Sequence, residues 1–278
     1  MIDAHFHLWR IGRNDCSWPT PQLAAIHRDF EIDDWWRAAA PLGVASGVLV
    51  QSQESDRDTD WLLELAAGDD RVAAVVGWVD FSSRDAPQRI ATLAAHPKLR
   101  GLRPMLQGLA EDGWILRREL APAIDAMIAH GLRFDALVKP RHLPHLLRFA
   151  QQHPDLQIVI DHAAKPDIAN GVLEPWRAQM AEIAALPNVF CKLSGLLTEA
   201  GERGASGLRP YVDHLLQTFG PRRLLWGSDW PVLNLAGDYA RWFRLADALT
   251  GLNDAERAAV FGGNAARFYR LRTADASA

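Results

Sequence analysis

The chain has 278 residues, of which 49% are hydrophobic and 23% are charged, and its formal net charge is −4. This is the composition of an ordinary globular protein, and neither its charge balance nor any apolar run of about 18 residues points to a nucleic-acid or membrane partner. The two cysteines, Cys16 and Cys191, lie far apart, and polar residues near position 5 leave no room for a signal peptide, so a reduced, cytoplasmic protein is expected.

Eight short apolar runs follow one another along the chain, each with the length and composition of a strand buried on both faces. They lie at the start, as "MIDAHF", and near residues 46, 72, 99, 132, 156, 188 and 223. Segments such as "DTDWLLELAAG" and "LPHLLRFAQQH" lie between them and repeat apolar residues at helical spacing. Strand–helix alternation of this kind requires a parallel sheet.

Eight such units in one chain predict an α/β fold, a (β/α)8 barrel forming a single domain over residues 1–278. A doubly wound open sheet is the alternative, but the first strand lacks the Gly-x-Gly-x-x-Gly turn that favours a dinucleotide fold. The Pro-containing segment 10–30 is too long for a simple turn between the first strand and the first helix. We expect it to form a long loop over the mouth of the barrel.

The first strand carries a His-x-His pair, His5 and His7, two residues after Asp3. Because side chains alternate along a strand, these three residues are predicted to share one face. The pair has three interpretations: a metal site, catalytic apparatus without metal, or polar residues on a buried strand.

Polar residues also follow the other predicted strands, where the strand ends of a barrel meet at one mouth. The set comprises Gln51, Arg103, Asp135, Lys139, Asp161, His162, Lys165, Lys192, Ser194, Ser228 and Asp229. Each has a structural alternative: His162 alone could be a hydrogen-bonded core residue, and Arg103 and Lys192 could form structural ion pairs with Asp135 or Asp161. The coincidence of so many ionisable residues at strand ends favours an active site.

Seven motifs in strand order resemble the amidohydrolase superfamily, and specifically the amidohydrolase-2 branch that contains L-fuconolactonase-like sugar lactonases. They are "DAHFHLW", "VLVQS", "RGLRPM", "DHAAKP", "CKLSGL", "WGSDWP" and "GGNAARFYRL". The resemblance covers essentially the whole chain. It implies a distorted (β/α)8 barrel that hydrolyses a cyclic ester or amide.

The resemblance also implies roles for four residues. His5 and His7 match the strand-1 pair, His162 the strand-6 histidine, and Asp229 the strand-8 aspartate that serves as general base toward water. Metal-dependent members commonly add a histidine on strand 5 or a carboxylated lysine, whereas strand 5 here reads "RFDALVKP". We therefore expect no strictly required cofactor, with one zinc ion on His5, His7 and Asp229 as an option.

The expected reaction is the opening of a sugar-acid lactone, of the L-fucono- or L-rhamnono-lactone class, to the aldonic acid. Partial burial is expected to raise the pKa of Asp229 toward neutrality and so make it a suitable base. The predicted substrate-binding residues are Arg103, Lys165, Lys192, Gln51, Trp18 and Trp230.

Four other expectations complete the functional prediction. An amide hydrolase or a metal-dependent decarboxylase of the same superfamily is the alternative enzyme, and a non-catalytic sugar-binding barrel is the alternative outside enzymes. The partner is a small-molecule sugar lactone, and the chain is expected to form a homodimer.

Overall fold

The computed structural model describes residues 1–271 and contains one eight-stranded parallel sheet in which the strands follow in chain order. The strands are β1 (Ile2–Phe6), β2 (Ser46–Val50), β3 (Val72–Gly77), β4 (Leu99–Leu102), β5 (Arg133–Ala136), β6 (Ile158–Ile160), β7 (Val189–Leu193) and β8 (Leu224–Trp226). The prediction of a single-domain, distorted (β/α)8 barrel is confirmed. The predicted domain bound beyond residue 271 lies outside the described residues.

Helices follow the strands and pack on the outside of the sheet. The α-helices are α1 (Ile32–Ala39), α2 (Asp56–Ala67), α3 (Ala86–Ala94), α4 (Ala121–Ala129), α5 (Leu143–Gln152), α6 (Trp176–Ala184), α7 (Arg209–Phe219), α8 (Tyr239–Thr250), α9 (Asp254–Ala258) and α10 (Asn264–Phe268). Several begin with a proline in the first turn, where the missing N–H has no intrahelical partner in any case. Within residues 1–271 no helix combines the length and apolar character needed to cross a bilayer.

Strand β2 shows how the sheet divides the apolar residues between two cores. Val48 and Val50 pack inside the barrel, whereas Leu49 packs toward the helices. The alternation follows from the two-residue repeat of a strand. Phe268 and Tyr269, at the end of the described chain, belong to the inner core and fill the interior.

The barrel closes between β1 and β8 by hydrogen bonds just beyond the strand ends. The backbone N–H of Asp229 donates to the carbonyl of His5 at 2.8 Å, and that of His7 donates to the carbonyl of Trp230 at 2.7 Å. Closure therefore brings the His-x-His pair and the strand-8 aspartate side by side.

The prediction that Asp3 shares a face with both histidines is wrong. The register of β1 against β2 shifts between Asp3 and Phe6, which breaks simple alternation. The Asp3 carboxylate accepts hydrogen bonds from Trp35 on α1, at 3.1 Å, and from Tyr239 on α8, at 2.8 Å. It therefore supports the wall of the barrel, while the histidines reach the mouth.

Candidate active site

A cavity of about 290 Å³ opens at the carboxyl ends of the strands. Its lining comprises His7, Trp18, Ser52, Arg103, Met105, Gln107, Leu137, His162, Lys165, Asp229 and Val232. The volume is close to the lower end of the range for small-molecule sites. Trp18 brings the long segment between β1 and α1 to the cavity, and the backbone N–H of Ser17 anchors that segment to the side chain of Gln53, at 3.0 Å.

His5, His7 and Asp229 converge at the floor of this cavity. The two Nε2 atoms lie 3.1 Å apart, and Asp229 Oδ1 lies 3.3 Å from His7 Nε2 and 3.7 Å from His5 Nε2. All three side chains are buried. Two segments that are distant in sequence meet here because β1 is the neighbour of β8 in the closed barrel.

His162 completes the cluster from the end of β6. Its Nε2 lies 3.7 Å from Asp229 Oδ1, and its Nδ1 lies 2.9 Å from the hydroxyl of Ser194. His162 to Lys165 all have positive φ, between 50° and 62°, and none of them is glycine. Such a left-handed run costs roughly 1–2 kcal/mol per residue and is typical of functional sites.

His5 and His162 are neutral in the neutral pH range. Burial and the neighbouring Lys192 ammonium hold the pKa of His5 well below its usual value. Burial lowers the pKa of His162 to about 4. A neutral imidazole keeps a lone pair on one nitrogen and a proton on the other, so each ring can accept one hydrogen bond and donate one.

The expectation of a raised pKa for Asp229 is wrong. Burial alone would raise it, but the surrounding histidines, His162 first among them, together lower the pKa of the carboxyl below its ordinary value. Sequence reasoning counted the burial and missed the effect of three histidines around one carboxylate. Asp229 is consequently ionised throughout the neutral range.

A charged network lies directly beneath His5. Lys192 Nζ lies 2.5 Å from Asp135 Oδ2 and 2.9 Å from Asp161 Oδ1. Arg103 Nη1 lies 3.1 Å from the second oxygen of Asp161, and Tyr269 donates its hydroxyl proton to Asp135 at 2.6 Å. These are the ion pairs given above as the structural alternative for Arg103 and Lys192.

The six predicted substrate-binding residues divide into two groups. Arg103, Lys165 and Trp18 line the cavity. Gln51, Lys192 and Trp230 are buried and do not line it. The Gln51 amide donates to the carbonyl of Arg103 at 2.8 Å, and the Trp230 ring packs edge-on against Phe30 with centroids 5.0 Å apart.

Sequence reasoning missed part of the cavity wall. Met105, Gln107 and Leu137 follow β4 and β5 by one to five positions, and Val232 follows β8. Residues without an ionisable group, just past a strand end, carried no signal in a search for ionisable groups. Glu199, which was also missed, lies 3.7 Å from Lys165 Nζ, and burial raises the pKa of its carboxyl.

The His5, His7 and Asp229 cluster fits one divalent ion by its donor atoms and by their spacing. Two imidazole nitrogens and one carboxylate oxygen form a common zinc set, and such ligands at 2.0–2.2 Å in tetrahedral directions lie about 3.3–3.6 Å apart. The three distances here, 3.1, 3.3 and 3.7 Å, bracket that value. The described residues contain two groups of three side chains that could hold a metal ion. One is the predicted ligand set, and the other is His5, Asp161 and His162.

A family model described as amidohydrolase matches residues 2–271 of the chain. An L-fucono-1,5-lactonase of Burkholderia ambifaria is 54% identical over 276 residues, which cover 97% of this chain and 95% of that protein. An L-fucono-1,5-lactonase of Burkholderia multivorans is 39% identical over 284 residues, with 97% and 96% covered. The crystal structure of a Burkholderia multivorans amidohydrolase with bound zinc superposes with a TM-score of 0.92 and 38% identity, over 98% of this chain and 99% of that chain.

Proposed function

The chain belongs to the amidohydrolase family, and we propose that it is a lactonase that opens an L-fucono-lactone or a closely similar sugar lactone to the aldonic acid. The observation that carries the proposal is an ionised aspartate, Asp229, at the floor of a small cavity among three histidines. Lactone hydrolysis requires a base for water, stabilisation of the developing oxyanion and a proton for the ring oxygen.

Asp229 is the base in this proposal. Its Oδ1 takes one proton from a water molecule whose oxygen attacks the lactone carbonyl carbon. The carboxyl then returns that proton to the ring oxygen as the C–O bond breaks. The proton balance is closed, and the product is a free aldonic acid.

His162 and Arg103 stabilise the carbonyl oxygen as it gains negative charge. Ser194 can donate to His162 Nδ1, which places the ring proton on Nε2, toward the cavity. The Arg103 guanidinium lines the same cavity and is held by Asp161 and by the carbonyl of Gln51. In a low-dielectric site these donors stabilise an oxyanion more strongly than water does.

The rest of the lining suits a sugar with one apolar edge. Lys165, paired with Glu199, offers charged contacts to ring hydroxyls or to the product carboxylate. Met105, Leu137 and Val232 form an apolar wall that accommodates a methyl group, and Trp18 offers a stacking face. We assign Gln51, Lys192 and Trp230 to positioning these groups, since none of the three lines the cavity.

One divalent metal ion is an optional component of this site. His5, His7 and Asp229 would hold it, and it would supply Lewis-acid polarisation of the carbonyl and acidification of a bound water. The family, the zinc-bound relative and the spacing of the three ligands support this possibility.

We also propose a cytoplasmic location and a homodimer. Cys16 and Cys191 are both free thiols, which agrees with a reducing compartment. Sedimentation velocity on the purified chain tests the dimer, and a single monomer boundary at micromolar concentration would rule it out.

A pH-indicator assay on a panel of aldonolactones tests the proposed activity. We expect turnover well above spontaneous ring opening, fastest for L-fucono-lactone and slower for lactones with a hydroxymethyl group in place of the methyl. A pocket discriminates such a pair by about 1–3 kcal/mol. Failure to exceed the spontaneous rate on every lactone, with and without added zinc, would disprove the lactonase proposal.

A further inference from the structure

The buried Lys192 ammonium forms hydrogen bonds with Asp135 and His5 and an ion pair with Asp161. Nζ lies 2.5 Å from Asp135 Oδ2, 2.9 Å from Asp161 Oδ1 and 3.0 Å from His5 Nδ1. The side chain is fully buried. Since an ammonium group can only donate, His5 Nδ1 has to accept from it.

This contact decides where the protons of the His-x-His pair lie. A neutral His5 that accepts at Nδ1 carries its proton on Nε2. His7 has the opposite arrangement, because its Nδ1 lies 2.7 Å from the carbonyl of Val50, which can only accept. His5 Nε2–H thus faces the lone pair of His7 Nε2 at 3.1 Å. The chain from Lys192 through both rings to Val50 is complete without any ion.

A divalent ion bound to both Nε2 atoms requires a lone pair on each of them. In this arrangement His7 Nε2 has a lone pair, whereas His5 Nε2 carries a proton. Metal-binding histidines ordinarily donate their second N–H to a carboxylate or carbonyl. The Val50 carbonyl provides such an acceptor for His7, whereas the second nitrogen of His5 meets an ammonium. Arg103 Nη1 lies 3.4 Å from His5 Nε2 and adds a second positive charge beside the proposed ligand atom.

Asp161 is a nearby acceptor for the alternative tautomer of His5, but the Lys192 ammonium lies closer to His5 Nδ1. Asp161 Oδ1 lies 3.5 Å from His5 Nδ1, farther than the Lys192 ammonium at 3.0 Å. Without the ammonium, Asp161 could accept a hydrogen bond from His5 Nδ1–H, and the lone pair on Nε2 would be free to bind a metal. Lys192 therefore determines which of the two neutral tautomers His5 adopts.

We propose that Lys192 is the residue that sets the metal affinity of this site, by holding His5 in the tautomer that cannot ligate an ion. This inference concerns the site of the proposed function but rests on hydrogen-bond geometry, so metal binding tests it independently of lactone turnover. It makes Lys192 a positioning residue.

The test is zinc affinity of the whole chain after treatment with a chelator, measured by competition with a chromophoric chelator. The variant is Lys192→Met combined with Asp135→Asn, which removes one charge of each sign and leaves Asp161 to accept from His5. We expect zinc to bind at least tenfold more tightly than to the wild type, within the range that outer-shell partners of metal ligands control. Cobalt(II) should show the intense visible bands of a tetrahedral site in this variant and only weak bands in the wild type.

Two control variants test whether any change of charge near the site alters the zinc affinity, or only the loss of Lys192. Lys165→Met removes a cation at the cavity wall without touching His5, and Asp135→Asn alone keeps the ammonium. We expect both to stay within about threefold of the wild-type zinc affinity, far below the range that outer-shell partners control. If the double variant does not fold by circular dichroism, Lys192→Leu combined with Asp135→Asn replaces it with the same expectation, since leucine also has no N–H to donate to His5.

Equal zinc affinity in the wild type and the folded Lys192 variant overturns the inference, and so does an equal gain in Lys165→Met. The outcomes for the two proposals differ. Tighter zinc binding without lactone turnover in the wild type refutes only the lactonase function. Lactone turnover with unchanged zinc affinity in the Lys192 variant refutes only the role of Lys192.

Discussion

His162 illustrates how much of the proposed chemistry depends on one side chain. It reaches Asp229 from the end of β6, beside the ring of His5, and the Ser194 hydroxyl holds its second nitrogen. Its lowered pKa keeps the ring neutral, so that it donates a hydrogen bond rather than a full charge. This is the arrangement that an oxyanion requires from a preorganised donor.

Substitution of His162 by Asn should lower kcat by about 100–1,000-fold with a small change in KM, because an oxyanion donor acts mainly in the transition state. Ser194→Ala keeps the imidazole but frees its orientation, and should cost about tenfold, a small part of what a misplaced catalytic group can cost. Steady-state kinetics on L-fucono-lactone measures both. A His162→Asn enzyme with wild-type kcat would remove His162 from the mechanism.

The roles of individual side chains were the part of the site that was least predictable from the sequence. The strand-end search correctly brought His5, His7, His162 and Asp229 into one cluster. It did not separate Lys192 from Lys165, since both follow apolar strands by sequence alone. Only the backbone geometry shows that Lys192 points into the charged network and Lys165 into the cavity.

Among the elements, the turn after β6 depends on a glycine in the segment after β7. Gly195 has φ +63°, and a Cβ there would lie 2.6 Å from the His162 ring. The left-handed turn thus places the His162 ring in space that is available only because Gly195 has no side chain. The motif "CKLSGL" contains this glycine, but its reason is visible only in three dimensions.

Gly195→Ala should lower kcat by about 10–100-fold, because displacing a catalytic group by 1 Å costs on that order. The matched control is Gly251→Ala at the end of α8, where φ is +57° and no atom lies within 4 Å of the added Cβ. Both changes carry the left-handed backbone cost of roughly 1–2 kcal/mol. Equal kcat values in the two variants would show that the contact with His162 is unimportant.

The first turn of α2 contains a buried carboxyl that makes stability depend on pH. Burial raises the pKa of Asp58 from 3.8 to about 7, although the backbone N–H groups of Ser52 and Gln53 oppose the shift. The folded chain thus prefers the protonated form. The stability that protonation provides is present below pH 4 and is lost as the pH rises through 7.

Asp58→Asn should therefore stabilise the chain more at pH 8 than at pH 5, by roughly 1–2 kcal/mol. Urea unfolding at the two pH values measures the difference. A gain that is the same at both pH values would mean that Asp58 does not titrate in this range. Ser52 lines the cavity and its backbone N–H donates to Asp58 at 3.4 Å, which connects this carboxyl to the active site.

The strands themselves were predictable because parallel strands buried on both faces read as continuous apolar runs. All eight appear in the structure at the predicted places. The register shift in β1 was not predictable, since it depends on how β1 pairs with β2. It is the reason that Asp3 faces the helices although it precedes His5 by two positions.

For the molecule as a whole, Asp3 connects the first and last units of the barrel. Its carboxylate accepts hydrogen bonds from the backbone N–H and hydroxyl of Ser228, at 2.8 and 2.6 Å, and from Trp35 and Tyr239. These partners belong to α1, α8 and the segment after β8. The same closure places His5 and His7 beside Asp229.

Asp3→Asn should lower the free energy of unfolding by roughly 2–4 kcal/mol, because an amide group would face buried donors and leave them without an acceptor. Tyr239→Phe removes one donor and leaves the others satisfied, so its cost should be about 1 kcal/mol. Chemical denaturation measures both. A smaller loss in Asp3→Asn than in Tyr239→Phe would contradict this role in closure.

The proposed lactone opening depends above all on Asp229 as the group that activates water. The most direct measurement is kcat/KM for L-fucono-lactone, for wild type and Asp229→Asn, each purified and treated with a chelator. The account predicts efficient turnover in the wild type and a loss of about 100–10,000-fold in Asp229→Asn, as for removal of a general base. Near-normal turnover in Asp229→Asn would contradict it.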